Sequence, residues 1–263
     1  MSLFIRLILI VVIVISITGC SNAPDEPANI EPAKNVILFI GDGMGVSTVT
    51  AARIFDGQSR GEPGEENFLS FERFPYVSLV KTYNTNQQVP DSAGTATAMH
   101  TGYKTKAGVI NVGPQAHRRN CKEAAEFSLE TIGARVKRDG KALGIVTTTR
   151  VTHATPATVY AQSPERDWES DLFMGAAETD AGCVDIARQL VEFGTGGGID
   201  LVLGGGAREF FGSQQGGIRK ADDADLAADW KSGGSNRVVV RTSDELKAVT
   251  SDQSVLGLFS QSH

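Results

Sequence analysis

Five apolar residues, Val36 to Ile40, run without interruption and stop at Gly41-Asp42-Gly43. A short continuous apolar run bounded by glycines predicts a strand buried on both faces. A carboxylate at the end of such a strand is costly unless it is exposed, paired or bound to a metal. In open α/β sheets, ligands gather at the carboxyl ends of the strands. Asp42 is therefore the first candidate metal ligand. Gly-Asp-Gly after a strand also invites a dinucleotide-binding reading, but the spacing fails. Gly41 and Gly43 fit that fingerprint, whereas its third glycine position holds Val46.

Further along, strand and helix signals alternate. Ser47 to Phe55 predicts a short helix, and Gln58 to Asn67 an exposed loop rich in glycine, proline and glutamate. Tyr76–Thr82 is β-rich. Ala93 to His100 is helix-compatible and ends at Gly102, and one helix is expected from about Lys122 to Asp139. Leu143 to Thr148 and Ile199 to Leu203 predict two more buried strands, with a long amphipathic helix, Asp171 to Phe193, between them. Residues 212–236 look irregular, and Val238–Val240 predicts an edge strand. The rhythm predicts an α/β fold with a mostly parallel central sheet between helices.

The amino terminus stands apart from this pattern. Arg6 followed by the apolar Leu7 to Ile17 has the length of a secretory signal, too short for the roughly 20 apolar residues of a membrane span. Ile17-Thr18-Gly19-Cys20 resembles a bacterial lipobox. Residues 1–19 thus read as a lipoprotein signal peptide and Cys20 as the lipidated residue. Residues 20–33 read as a flexible tether, too polar and proline-rich to bury a core. The expected product is exported and anchored to a bacterial membrane through Cys20, facing the periplasm or cell exterior. The folded part, residues 34–263, is long enough for one α/β domain or part of a larger one. Net charge is −6, and losing Arg6 with the signal makes it more negative still, which argues against a nucleic-acid partner. With Cys20 lipidated, Cys121 and Cys183 remain, either bridged in an oxidising compartment or free and buried.

Three further segments carry candidate chemistry. In PDSAGTATA, Ser92 follows Asp91 at the start of a small-residue helix, where unpaired N–H groups and the helix dipole favour an anion. Alone, such a pair more often caps a helix. In THATPA, His153 and Thr155 follow the second predicted strand, on the same sheet edge as Asp42 if the sheet is parallel. A hydroxyl with an imidazole suits a hard cation, and Thr155-Pro156 equally suits a helix start. Arg166, in PERDW, offers a planar fork for tetrahedral oxyanions.

Taken in order, NVILFIGDGMG, PDSAGTATA, VTTTRVTHATPA, LVLGGGARE and VLGLFS resemble the alkaline phosphatase family from about Lys34 to the end. The resemblance implies a metal-dependent phosphomonoester hydrolase working through a phosphoserine, with two zinc ions and one magnesium. Asp42 would bridge a zinc and the magnesium, Ser92 would be the zinc-bound nucleophile, and Thr155 would bind magnesium with His153 beside its water shell. Arg166 would clamp phosphoryl oxygens, with Asp91 orienting it. A Cys121–Cys183 disulfide has a counterpart in some members, and members are commonly homodimers. Position 153 departs from members that carry aspartate, which weakens a magnesium site.

The same resemblance places the remaining zinc ligands in a C-terminal half, whereas this sequence holds only His100, His117, His153 and His263 and ends at VLGLFSQSH. The expectation is an alkaline phosphatase-like three-layer sandwich with its C-terminal half missing, inactive in this form. The rival readings are another hydrolase of the same superfamily, a phosphodiesterase or sulfatase, and a non-catalytic relict lipoprotein.

Overall fold

The computed structural model describes residues 33–263, and the chain divides after Gly41. The proposed signal, Cys20 and nearly all of the proposed tether lie outside the described residues. Among the described residues, no helix is long and apolar enough to cross a membrane.

The short segment before Asp42 differs from expectation. Val36–Ile40 belongs to no ladder, and Val36, Ile37 and Phe39 are each more than three-quarters exposed. Apolarity and glycine boundaries signal a buried strand only when a neighbouring strand satisfies the backbone and a layer covers each face. Nothing among the described residues does so here.

From Asp42 onward, helix α1 (Val46–Ser59) extends a turn beyond the predicted Phe55. Tyr76–Thr82 is likewise unpaired, with Tyr76, Val77, Leu79 and Val80 exposed, so that β-rich stretch is not a strand either. Helix α2 (Ser92–Thr101) ends at Gly102 as expected.

The single helix expected over 122–139 is two, α3 (Cys121–Glu126) and α4 (Ile132–Arg138). Between them the backbone pairs elsewhere: Gly113 N–H donates to the Phe127 carbonyl and Leu129 N–H to that of Asn111. The Thr131 hydroxyl then caps α4. Asp171 to Phe193 is likewise interrupted. It holds a 3₁₀ turn (Asp171–Phe173), α6 (Ala176–Asp180) and α7 (Ile186–Glu192), the last capped by the Asp185 carboxylate. Short α5 (Ala154–Ala157) precedes them. Residues 212–236, expected to be irregular, contain α8 (Leu226–Ser232).

The sheet contains β1 (Gly144–Arg150), β2 (Leu201–Gly205), β3 (Arg237–Val240) and β4 (Ser254–Leu258), with α9 (Ser243–Lys247) between the last two. All pairings are parallel and the order is β1-β2-β4-β3, so β3 is the edge strand its sequence predicts. The strand β1, expected to be wholly buried, is the opposite edge: Ile145 is buried but Val146 is 72% exposed. Parallel strands need covered crossovers, and the helices between them supply the core. Ile186 and Leu190 of α7 and Leu226 and Trp230 of α8 pack with Ile145, Val202, Leu256 and Leu258 of the sheet. Each fully buried aliphatic side chain here contributes roughly 1.5–3 kcal/mol over exposure. Cys121 and Cys183 form a disulfide that ties the start of α3 to the segment before α7.

Candidate active site

Asp91 ends an extended segment and caps α2: its Oδ1 accepts from Gly94 N–H at 3.0 Å. The same oxygen accepts from the side-chain amide of Asn84 at 2.9 Å. Its Oδ2 accepts from Gly108 N–H at 2.9 Å and from Arg166 Nη1 at 3.1 Å. Burial pushes the Asp91 carboxyl upward, but these four donors outweigh it and hold the group below the ordinary carboxylate range. Asp91 is thus an anion with a fixed orientation, and its helix-cap role and its hold on Arg166 coexist.

Arg166 is placed by its backbone as well as its fork. Its N–H donates to the Gly108 carbonyl, so one residue, Gly108, braces both Asp91 and Arg166 through its two flanking peptides. The φ of +79° at Gly108, with Arg118 close to where a Cβ would lie, leaves that position to glycine. Arg118 in turn forms a forked pair with the buried Glu165 carboxylate, next to Arg166 in the chain. Arg166 Nη1 also donates to Ser92 Oγ at 3.0 Å, and Nη2 lies 3.2 Å from His153 Nε2. Asp91, Ser92 and Arg166 are therefore one constellation in the structure.

Asp42, His153 and Thr155 form a second group. Thr155 Oγ1 donates to Asp42 Oδ2 at 3.0 Å, and His153 Nδ1 lies 4.0 Å from the same oxygen. His153 sits at the N-cap of α5, just past the carboxyl end of β1. Burial, and then the Arg166 cation, hold its imidazole below its ordinary pKa, so Nε2 can accept from Arg166. Nδ1 then carries the hydrogen, and it is buried without a hydrogen-bond partner. The His153–Arg166 contact links the two groups.

A cation can be tested against these donors. One carboxylate and one hydroxyl held together, with the unpartnered Nδ1–H of His153 beside the same carboxylate oxygen rather than ligating, fit a single hard cation with water completing its shell. A pair of zinc ions needs more: among the described residues no three His, Cys, Asp or Glu side chains come together as a metal-binding group. Two of the other histidines are engaged elsewhere, whereas the His263 ring stands edge-on to His153 with centroids 5.7 Å apart. His100 Nδ1 contacts buried Thr158, His117 contacts Glu123, and His263 contacts Arg150.

Sequence reasoning missed Asn84, Gly94 and Gly108, which hold Asp91, and the pair Arg150–Glu169 beside His153. Glu169 accepts a forked pair from Arg150 and a hydrogen bond from Thr152. Burial raises its carboxyl, and those donors bring it back below its usual range. A polar residue four positions past an apolar run, such as Asn84, carries no local mark of burial.

The alkaline phosphatase family profile matches residues 33–263. The chain belongs to the alkaline phosphatase family. Among curated alkaline phosphatases, the tissue-nonspecific isozyme of Gallus gallus is 54% identical over 179 residues, covering 68% of this chain and 34% of that protein. The alkaline phosphatase of Thermus thermophilus superposes with a TM-score of 0.59 at 31% identity, over 81% of this chain and 37% of that one. A variant of the alkaline phosphatase from the Antarctic bacterium TAB5, with magnesium bound in its M3 site, gives a TM-score of 0.60 at 23% identity, over 84% and 51%. The chain thus spans a third to a half of the proteins it matches, and its α/β fold with a parallel sheet is theirs.

Proposed function

We propose that this chain provides the nucleophile and phosphoryl-binding groups of a phosphomonoester hydrolase that works through a phosphoserine. The observation that carries the reading is the Arg166 Nη1 group, shared between Asp91 Oδ2 and Ser92 Oγ. Such a fork, already fixed, can turn its N–H groups onto two oxygens of a phosphoryl group beside Ser92. Ser92 Oγ attacks phosphorus, the ester P–O bond breaks, and the alcohol departs with a proton. Water then attacks the phosphoserine and releases inorganic phosphate. The start of α2 contributes N–H groups and its dipole to the phosphoryl charge.

Asp42 and Thr155, with His153 beside them, would hold one divalent cation of the magnesium type. When bound, such a cation offsets phosphoryl charge and lowers the pKa of a bound hydroxyl or water. The family implies two zinc ions as well, but the described residues do not furnish that donor set, and no step is derived through them. The Ile17–Cys20 segment supports a lipid anchor at Cys20. A shift of the exported protein from membrane to soluble fraction in Cys20→Ser tests that anchor.

The test of the reaction uses the full-length gene product with magnesium and zinc, comparing a nitrophenyl monoester with the corresponding diester. Faster monoester turnover, phosphate on the Ser92 peptide after acid quench, and loss of both in Ser92→Ala are expected. Faster diester turnover would favour the phosphodiesterase reading. Absence of both turnover and labelling in the metal-loaded full-length gene product would favour the non-catalytic one.

A further inference from the structure

Between Glu65 and Val89 one residue is buried, and it is polar: Asn84, 4% exposed. An anchor serving only to pin a loop would gain most from an apolar side chain. Asn84 instead places its amide on a single functional partner, donating to Asp91 Oδ1 at 2.9 Å. Its backbone closes a tight turn with Gln87, and the next residue, Thr85, donates its N–H to the Thr105 carbonyl. The amide is held from the other side by Gly94, where an added Cβ would lie 2.5 Å from Asn84 Oδ1. Glycine at 94 therefore makes room for the amide against α2.

A free carboxylate can rotate about its last bond and exchange its two oxygens. At Asp91 each oxygen has two assigned donors: Asn84 and Gly94 on Oδ1, Gly108 and Arg166 on Oδ2. Gly94 and Gly108 contribute backbone groups that no side-chain change removes. Asn84 is the neutral side chain of the set, and its loss leaves Oδ1 with the helix N–H alone. Arg166 could then draw Asp91 away from Gly108, and its fork away from Ser92.

We propose that Asn84 is a positioning residue of the phosphoryl site. It locks the plane of Asp91 so that Arg166 points at Ser92, and it does not itself touch the phosphoryl group. The proposal rests on the reading of Arg166 as the phosphoryl clamp, and its test separates the two.

The experiment compares Asn84→Ala, Asn84→Asp and Asn86→Ala in the full chain. Asn86 is the matched control: it accepts from Ala107 N–H in the same loop and is not among the hydrogen-bond donors to the Asp91 carboxylate. One readout is the affinity for inorganic phosphate, and the other is the nitrogen NMR signature of the Arg166 guanidinium without phosphate. Asn84→Ala is expected to weaken phosphate binding about tenfold, as for one lost hydrogen bond to a charged group. It should also average the separate Arg166 Nη signals into one. Asn84→Asp fills the same volume but brings a carboxylate against Asp91, so it should be worse than Asn84→Ala. A packing role predicts the reverse order. Asn86→Ala should leave both readouts at the wild-type value.

Unchanged Arg166 signals in Asn84→Ala, or equal effects from Asn86→Ala, would overturn the proposal. If the wild-type chain binds no phosphate but the Arg166 signals respond as expected, the positioning role stands and the clamp reading falls.

Discussion

Compare the parallel sheet with the stretch from Glu65 to Val89. Both are rich in residues that favour strands. In the sheet, Val255, Leu256 and Leu258 are buried and Leu256 lies beside Val202 and Val239 in register. In the other stretch Leu79 is 98% exposed and Tyr76 92%, and the buried residue is an asparagine. A strand-forming composition is therefore not sufficient for a strand. The backbone needs a neighbour for its N–H and C=O groups, and the side chains need a covering layer. The two regions also contribute differently to the site. The sheet edge carries His153 and Thr155 on an element held by the core, whereas Asn84 reaches Asp91 from a loop that has little other burial.

The comparison breaks most visibly at buried charge. Arg219 is 5% exposed and forms a forked pair with Asp185, which also caps α7. Arg219→Ala would leave Asp185 in a dry site without its cation, a change that typically costs about 3–5 kcal/mol. Urea unfolding followed by tryptophan fluorescence should report that loss, since Trp230 lies in the same core. An unchanged midpoint would mean that water reaches Asp185 and that the core is looser than its burial implies.

Next in size is a matched leucine pair. Leu256→Ala removes a fully buried side chain from β4 and should cost about 2–5 kcal/mol through lost transfer energy and a residual cavity. Leu79→Ala should cost less than about 0.5 kcal/mol, as expected for a surface position, and should reduce self-association measured by light scattering. A Leu79 loss as large as that of Leu256 would show a covered strand in solution and erase the difference between the regions.

These contrasts explain how far the sequence could be read. Strands β1 to β3 were legible because apolar runs lay between helix signals, and Gly102 marked the end of α2. Asp91 and Ser92 stood out within a motif, whereas Arg166 in PERDW was joined to them only through the family resemblance. The burial of Val36–Ile40 and the strand character of Tyr76–Thr82 were misread because a run reports what a strand would like to bury against, not whether a neighbour exists. The break in the helix expected over 122–139 was hidden for a related reason: Phe127 and Leu129 spend backbone groups on a distant loop. Asn84 and Gly108 were invisible because their roles exist only across the gap between Asp91 and Arg166.

A smaller effect appears with pH. His100 is buried on α2, its Nδ1 2.8 Å from the Thr158 hydroxyl, and burial holds it below its ordinary value of 6.5. The unfolded chain therefore takes up this proton at a higher pH than the folded chain. Stability should be complete above pH 6.5 and fall as the pH drops toward the depressed folded value, with a limiting slope of about 1.4 kcal/mol per pH unit for one group. His153, shifted in the same direction, adds to the loss. His100→Gln should flatten part of the curve below pH 6.5 while leaving the region above it unchanged. An identical pH profile in the variant would show that His100 titrates normally in the folded chain.

The smallest effect is expected at the exposed counterpart of Arg219. Arg60 and Asp56 sit one helical turn apart at the end of α1, 2.7 Å from each other, with side chains 48% and 42% exposed. Each ion lowers the other's cost of being charged, so the Asp56 carboxyl lies below its ordinary value, through Arg60 first and then Asn67. Both partners remain solvated, however, and either ion keeps its water when the other is removed. Arg60→Ala should therefore leave the unfolding midpoint unchanged within error at physiological salt. The same residue type, paired with the same carboxylate chemistry, would then be decisive beside α7 and dispensable on α1. A clear destabilisation by Arg60→Ala would show that Asp56, Asn67 and Arg60 act as one network that holds the loop after α1. The amino-terminal part of the domain would then owe its order to polar contacts rather than to a core.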